Sequence, residues 1–258
     1  MKRLIILLAA ACTLTSCGLL TGINWNQQAL ASAADKAMIA ASITDEQIAQ
    51  LCRESIAELD RQNTIDNGKY IQRLSKLMSG VTIDGLNLNL KVYKTDQINA
   101  FASGDGSIRV YTGLMDAMTD DELMAIIGHE IGHVVHQDTK NAMKKAYLAS
   151  AASDLIGAAG NVGAIAYGMG AQIAEAYVNA QFSQKQEYAA DDFGFEFAVK
   201  TGHSPYSMSN ALEKLVNLSE GSRASAVAQM FSSHPDSAKR AARIKLKAEK
   251  YILTNKKQ

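Results

Sequence analysis

Residues 127–137 read Ile-Gly-His-Glu-Ile-Gly-His-Val-Val-His-Gln, and within them His129, Glu130 and His133 form an H-E-x-x-H element. Two imidazoles four residues apart on a helix lie one above the other, about 6 Å along the axis. Both rings can then tilt onto one zinc ion at about 2.1 Å. Glu130 projects beside them and can take a proton from water instead of ligating. A catalytic zinc usually has three protein ligands, so a third is needed. Glu187 and Asp191, in Gln186-Glu187-Tyr188-Ala189-Ala190-Asp191, are again four apart and place two carboxylates on one helix face. One can ligate while the other accepts a hydrogen bond from a ligand imidazole and fixes its tautomer.

Those side chains require helices beneath them. Thr119 with Glu122 is a capping-box pattern, and Asp120 and Asp121 suit the positive end of a helix. Leu123, Ile126, Ile127, Ile131 and Val134 continue at helical spacing, which predicts a helix over 120–137. Gly128 and Gly132 each lower helix propensity by about 1 kcal/mol relative to Ala, so close approach of a neighbouring backbone is the expected compensation. His136 lies farther along the axis than His133 and is excluded as a ligand. His203, in a Gly-His-Ser-Pro context, reads as loop.

Taken with Asn99-Ala100-Phe101-Ala102, Arg109-Val110-Tyr111-Thr112-Gly113-Leu114 and His234-Pro235, these elements resemble the gluzincin metallopeptidases. Among those they are similar to the family of prenyl-protease, HtpX and Oma-type peptidases, from about residue 40 to about 250. The resemblance implies one Zn²⁺ per chain held by His129, His133 and Glu187, with Glu130 as general base and Asp191 orienting an imidazole. It implies a mostly helical gluzincin fold with a small sheet, and an edge strand at residues 107–112 (Ile108, Val110, Thr112) that pairs with an extended substrate. It also gives catalytic roles to His234 and Arg240, the arginine lying near the substrate or near the histidine. Two roles stand open for His234: hydrogen-bonding the tetrahedral oxyanion, or filling the fourth zinc position and holding the enzyme latent.

The N-terminus adds a location. Lys2 and Arg3 precede an apolar run from Leu4 to Leu14, followed by Leu14-Thr15-Ser16-Cys17. That is a secretory signal over 1–16, with a lipobox-like end that makes Cys17 the lipidated first residue. The apolar run is short for an uncleaved membrane anchor. Cys12 suits lipidation less well, because Ala9 precedes it by three. Gly18, where Asp would signal inner-membrane retention, points to the outer membrane facing the periplasm. Residues 17–40 then form the lipidated tether and 41–252 a single metallopeptidase domain. Cys52 is left alone in an oxidising compartment, either as a small buried hydrophobe or in a mixed or intermolecular disulfide.

With 26 basic and 26 acidic residues, no charge excess draws the chain to nucleic acid. The expected elements are helices near 44–60, 69–78, 140–180, 183–201, 205–220 and 236–251, with strands at 86–93 and 108–112 around a turn at 103–106. This is an α+β chain. The Ala/Gly-rich residues 146–180, interrupted by Asp154, Asn161, Gln172 and Glu175, read as a helical hairpin near the cleft rather than a membrane span. The expected activity is zinc endopeptidase action on unfolded or misassembled envelope proteins, with assembly machinery or a protease as further partners. The alternative is a lipid-anchored chaperone or assembly factor that uses a latent zinc fold as a platform.

Overall fold

Helices begin where the sequence supplies caps. In the computed structural model, which describes residues 44–154 and 181–255 (147–154 without side chains), Thr44, Thr119 and Ser183 each close a capping box. They start α1 (Asp45–Gln62), α4 (Asp120–Val135) and α6 (Gln184–Lys200). The chain order is α1, α2 (Lys69–Leu77), β1 (Asn89–Tyr93), β2 (Ala100–Ala102), β3 (Ser107–Tyr111), α3 (Thr112–Ala117), α4, α5 (Asp138–Asp154), α6, α7 (Ser207–Ser219), α8 (Ala224–Ser233) and α9 (Ser237–Asn255). The signal at 1–16, the tether at 17–40 with Cys17, and residues 155–180 of the expected hairpin lie outside the described residues. No helix among the described residues is long and apolar enough to cross a membrane.

The sheet corrects one expectation. Its order is β1-β3-β2, with β3 parallel to β1 and antiparallel to β2. Ile108 and Val110 are therefore on the central strand, wholly buried and paired on both sides, and are not an edge for substrate. A short run of β-branched residues reads the same at the centre of a sheet as at its rim, because pairing partners do not show in local pattern. Thr112 is not in the strand at all. It opens α3, and its Oγ1 donates to Thr95 O (2.8 Å) and accepts from Thr95 N (2.9 Å). The edge beside α4 is instead β2, which packs against that helix.

Alternation divides the sheet's faces. Val92, Ala100, Ala102, Ile108 and Val110 join the apolar core with α4. On the other face Arg109, buried, is gripped from α1 by Asp60 through two hydrogen bonds of 2.8 and 3.0 Å. Lys91 and Tyr93 donate to the same carboxylate, each at 2.7 Å. Cys52 of α1 is a free, fully buried thiol, as the small-hydrophobe reading expects, and burial pushes its pKa up.

From Glu122 to Val134 every residue of α4 is buried, because the helix is enclosed on all sides rather than along one stripe. Its closest neighbour is α6. A Cβ on Gly128 would stand 2.7 Å from Phe197 Cδ1, and one on Gly132 would stand 3.1 Å from Ala190 Cα. Reciprocally, a Cβ on Gly194 would meet Ala125 O at 2.7 Å and His129 N at 3.0 Å. The glycines are the condition for this contact. Gly194→Ala is expected to lower unfolding free energy by about 1–3 kcal/mol through overpacking, despite a helix-propensity gain of about 1 kcal/mol. Chemical denaturation measures this; an unchanged midpoint would mean the helices can part freely.

Candidate metal centre

The α4–α6 contact brings the predicted ligands together. His129 and His133 stand one turn apart on α4 with their rings edge to face at 4.7 Å, and Glu187 faces them from the first turn of α6. A fourth donor comes from His234, the residue capping the C-terminus of α8. His129 Nε2 lies 3.2 Å from His133 Nε2 and 3.3 Å from His234 Nδ1. Glu187 Oε1 lies 3.3 Å from His133 Nε2 and 3.0 Å from His234 Nδ1.

These spacings fit a metal. Four donors at about 2.1 Å around a tetrahedral zinc stand about 3.4 Å apart. Nitrogens that face each other this closely repel through their lone pairs unless a proton or a cation lies between them. All four side chains are buried, and together they form the group among the described residues that could hold an ion. Glu130 is buried beside them, with Oε1 lacking any hydrogen-bond partner and 3.6 Å from His234 Nε2. Its carboxylate is left for water or substrate.

A layer of charge lies behind the donors. Asp191 Oδ1 is 3.0 Å from His129 Nδ1, which is the orienting role expected of it. Arg240, which is 1 % exposed, donates to both Asp191 oxygens at 2.9 and 2.6 Å and forms an ion pair with Glu187 Oε2. Its Nη1 also reaches His234 O at 3.5 Å, so of its two expected positions Arg240 takes the one by the histidine. Burial would raise the Asp191 pKa, but Arg240 and His129 outweigh it and hold the group at about 2. Burial likewise opposes ionisation of Glu187, which His234 and His133 overcome, holding it well below the usual carboxylate range.

Several functional contacts are not visible in the sequence. Asp138 Oδ2 lies 3.0 Å from His133 Nδ1, and the Phe182 ring stacks on His133 at 4.1 Å. Phe182 N also donates to Ser233 O, next to His234. Neither residue stands at helical spacing from a motif position. His136 is exposed against Phe193 and outside the donor set, as expected. His203 does have a partner: its Nδ1 is 2.7 Å from Asp121 Oδ1 at the start of α4. A neighbouring Gly-x-Ser-Pro loop carries no hint of that pairing.

Comparison with known proteins agrees with this geometry. The pattern of peptidase family M48 matches residues 65–248. The chain is 37 % identical over 249 residues to Metalloprotease LoiP of Escherichia coli (strain K12), covering 95 % of each protein. It is 36 % identical to Metalloprotease YcaL of the same organism, over 95 % of this chain and 96 % of the relative. A Protease HtpX homolog of Polynucleobacter necessarius subsp. necessarius (strain STIR1) is 27 % identical over 58 % of this chain and 63 % of its own length.

The two motif histidines are electrostatically unequal. Burial lowers the pKa of His129, and the nearby Arg240 charge adds to that, so its ring stays neutral. Burial acts the same way on His133, but Asp138 and Glu187 outweigh it and raise the pKa to about 9. In the metal-free protein His133 therefore carries a proton at neutral pH, and its ion pairs stabilise the fold fully below about pH 6.5 and fade as pH rises through about 9. A metal must displace that proton. Apparent affinity is then expected to rise about tenfold per pH unit from pH 7 and to flatten above about pH 9. Chelator competition across that range measures it, and a flat profile would contradict the assignment.

Proposed function

The chain belongs to peptidase family M48 and is a metalloendopeptidase, and on that premise we propose that it is a zinc enzyme of the cell envelope, tethered by lipid, that cleaves unfolded or misassembled proteins. The observation that carries the chemistry is the buried Glu130 carboxylate, whose Oε1 accepts no hydrogen bond, beside four converging donors. Two imidazoles and a carboxylate are the donor chemistry that suits zinc.

A bound zinc ion polarises the scissile carbonyl and acidifies water. His129, His133 and Glu187 would hold the ion, and Arg240 and Asp191 keep Glu187 and His129 in place from behind. Glu130 takes the proton of the attacking water and carries it to the leaving nitrogen. A substrate bound as extended backbone would come from unfolded chains, because folded proteins present such segments rarely. Localisation rests on the sequence: the basic start, the apolar run and the Leu14–Cys17 lipobox, with Gly18 favouring the outer membrane, facing the periplasm. Partners follow from that place: unfolded substrates, the membrane through Cys17, and envelope assembly machinery or another protease.

His234 supports a latent resting form. With its Nδ1 in the donor set, His234 would fill the fourth position of a tetrahedral ion, and in the latent form it would withdraw to admit water. The same closure favours a second reading, a chaperone or assembly platform, although such a platform has no use for Glu130. Glu130→Gln is expected to retain one zinc per chain while lowering cleavage of an unfolded test protein at least about a hundredfold. Cleavage undiminished in that variant would overturn the role of Glu130 as base, whereas biological function retained after cleavage is lost would favour the platform. His234→Ala is expected to raise the cleavage rate by opening the fourth position. A fall would instead assign the histidine to the oxyanion.

A further inference from the structure

His133 turns one ring nitrogen to the donor set and the other to Asp138, and the surroundings of that second contact are built. Asp138 is buried, its Oδ2 lies 3.0 Å from His133 Nδ1, and its Oδ1 accepts from Gln186 Nε2 at 2.6 Å. Gln186 is committed at its other end, where Oε1 accepts from Ser183 N at 2.9 Å and Ser183 Oγ at 2.8 Å. That is the capping box of α6, one residue before Glu187. A single hydrogen-bonded line thus runs from a ligand on α4, through the first residue of α5, to the helix cap that places the third ligand.

The line depends on a break in the backbone. Five residues along an unbroken helix would put Asp138 about 140° around the axis from His133. Helix α4 stops at Val135, and Gln137 takes φ 61° in the left-handed region, which returns Asp138 towards the histidine. The two ligand imidazoles then have one carboxylate each, on unlike terms. Asp191 shares its charge with Arg240, whereas Asp138 is met by the neutral amide of Gln186. A carboxylate that keeps its charge holds an imidazole N–H more strongly and makes the far nitrogen a better metal donor.

Resting on the metallopeptidase reading, we propose that Asp138 is the positioning residue of His133 and that Gln186 fixes Asp138, so that this relay sets the His133–Glu187 spacing for the metal. Asp138→Ala leaves the His133 Nδ1–H without an acceptor, which weakens zinc binding about 10–100-fold. Asp138→Asn retains an oxygen for the histidine but turns an amide group towards the Gln186 amide, whose own oxygen is occupied by Ser183. Adding Gln186→Glu gives that group an acceptor and still suits the capping box.

The test is zinc affinity and dissociation rate in the full-length protein by chelator competition, with melting of the metal-free proteins as the control for folding. The expected order of affinity is parent, then the Asp138→Asn/Gln186→Glu pair, then Asp138→Asn, then Asp138→Ala, with metal-free melting of the near-isosteric pair close to that of the parent. Parent-like affinity in Asp138→Ala, or no recovery in the double variant, overturns the relay while leaving the peptidase reading intact. A parent that takes up no zinc, and is no different from His129→Ala, overturns both.

Discussion

At Gly194 the backbone of α6 comes against the main-chain nitrogen of His129, and this contact sets how far Glu187 stands from the two imidazoles. Metal–ligand distances tolerate deviations of only about 0.2 Å, so the helices need to be held near that tolerance by packing. Gly128 and Gly132 do this from α4, under Phe197 and Ala190, and Gly194 does it from α6. The rest of the fold acts as buttress. The sheet lies against α4 on one side, α7 packs against another, and α9 packs on both α6 and α7. The glycines that weaken α4 as an isolated helix are thus the residues that make it useful in the assembled protein.

The electrostatics of the centre follow from the same closeness. Glu130, Asp138, Glu187 and Asp191 bring four buried carboxyl groups within one region, and Arg240 is the one buried guanidinium among them. Leaving buried charges unbalanced costs several kcal/mol per ion. Without metal, part of the balance comes from the proton on His133, whose pKa is raised to about 9 by Asp138 and Glu187. A divalent cation would do the same work better, since it would also relieve the repulsion between nitrogens 3.2 Å apart. The site is an incomplete charge distribution whose donor geometry suits a metal ion.

How much of this was legible in the sequence depends on whether spacing translates directly into direction. It does within a helix: His129/His133 and Glu187/Asp191 each fall on one face, and the Thr119 cap locates the start of the first. It does not across a break. Asp138 is five residues from His133, and only the left-handed Gln137 makes them neighbours. Strand order was equally hidden. Ile108 and Val110 look as suited to an edge as to a centre, and the true edge, Ala100–Ala102, is three small or aromatic residues too short to announce a strand. Helix α8 also escaped, since its Ala- and Ser-rich sequence carries no side-chain cap at its start.

His234 shows how a loop can be both part of the site and separable from it. Its position comes from the C-terminal turn of α8, through its own N–H to Met230 O, and from Asp236 at φ 62° just beyond. Short polar residues such as Asp tolerate that conformation better than most. The loop is held from outside by Phe182 N to Ser233 O and by Gln184 Nε2 to Asp236 Oδ2 at 3.0 Å. The ligands His129, His133 and Glu187 are anchored differently, by helices packed backbone to backbone. Moving any of those three means parting α4 from α6; moving His234 means breaking a few hydrogen bonds at a helix terminus. Of the four donors, His234 is therefore the one held by a loop and not by a backbone-to-backbone helix pair, and Phe182, whose ring stacks on His133, belongs to the segment that holds that loop.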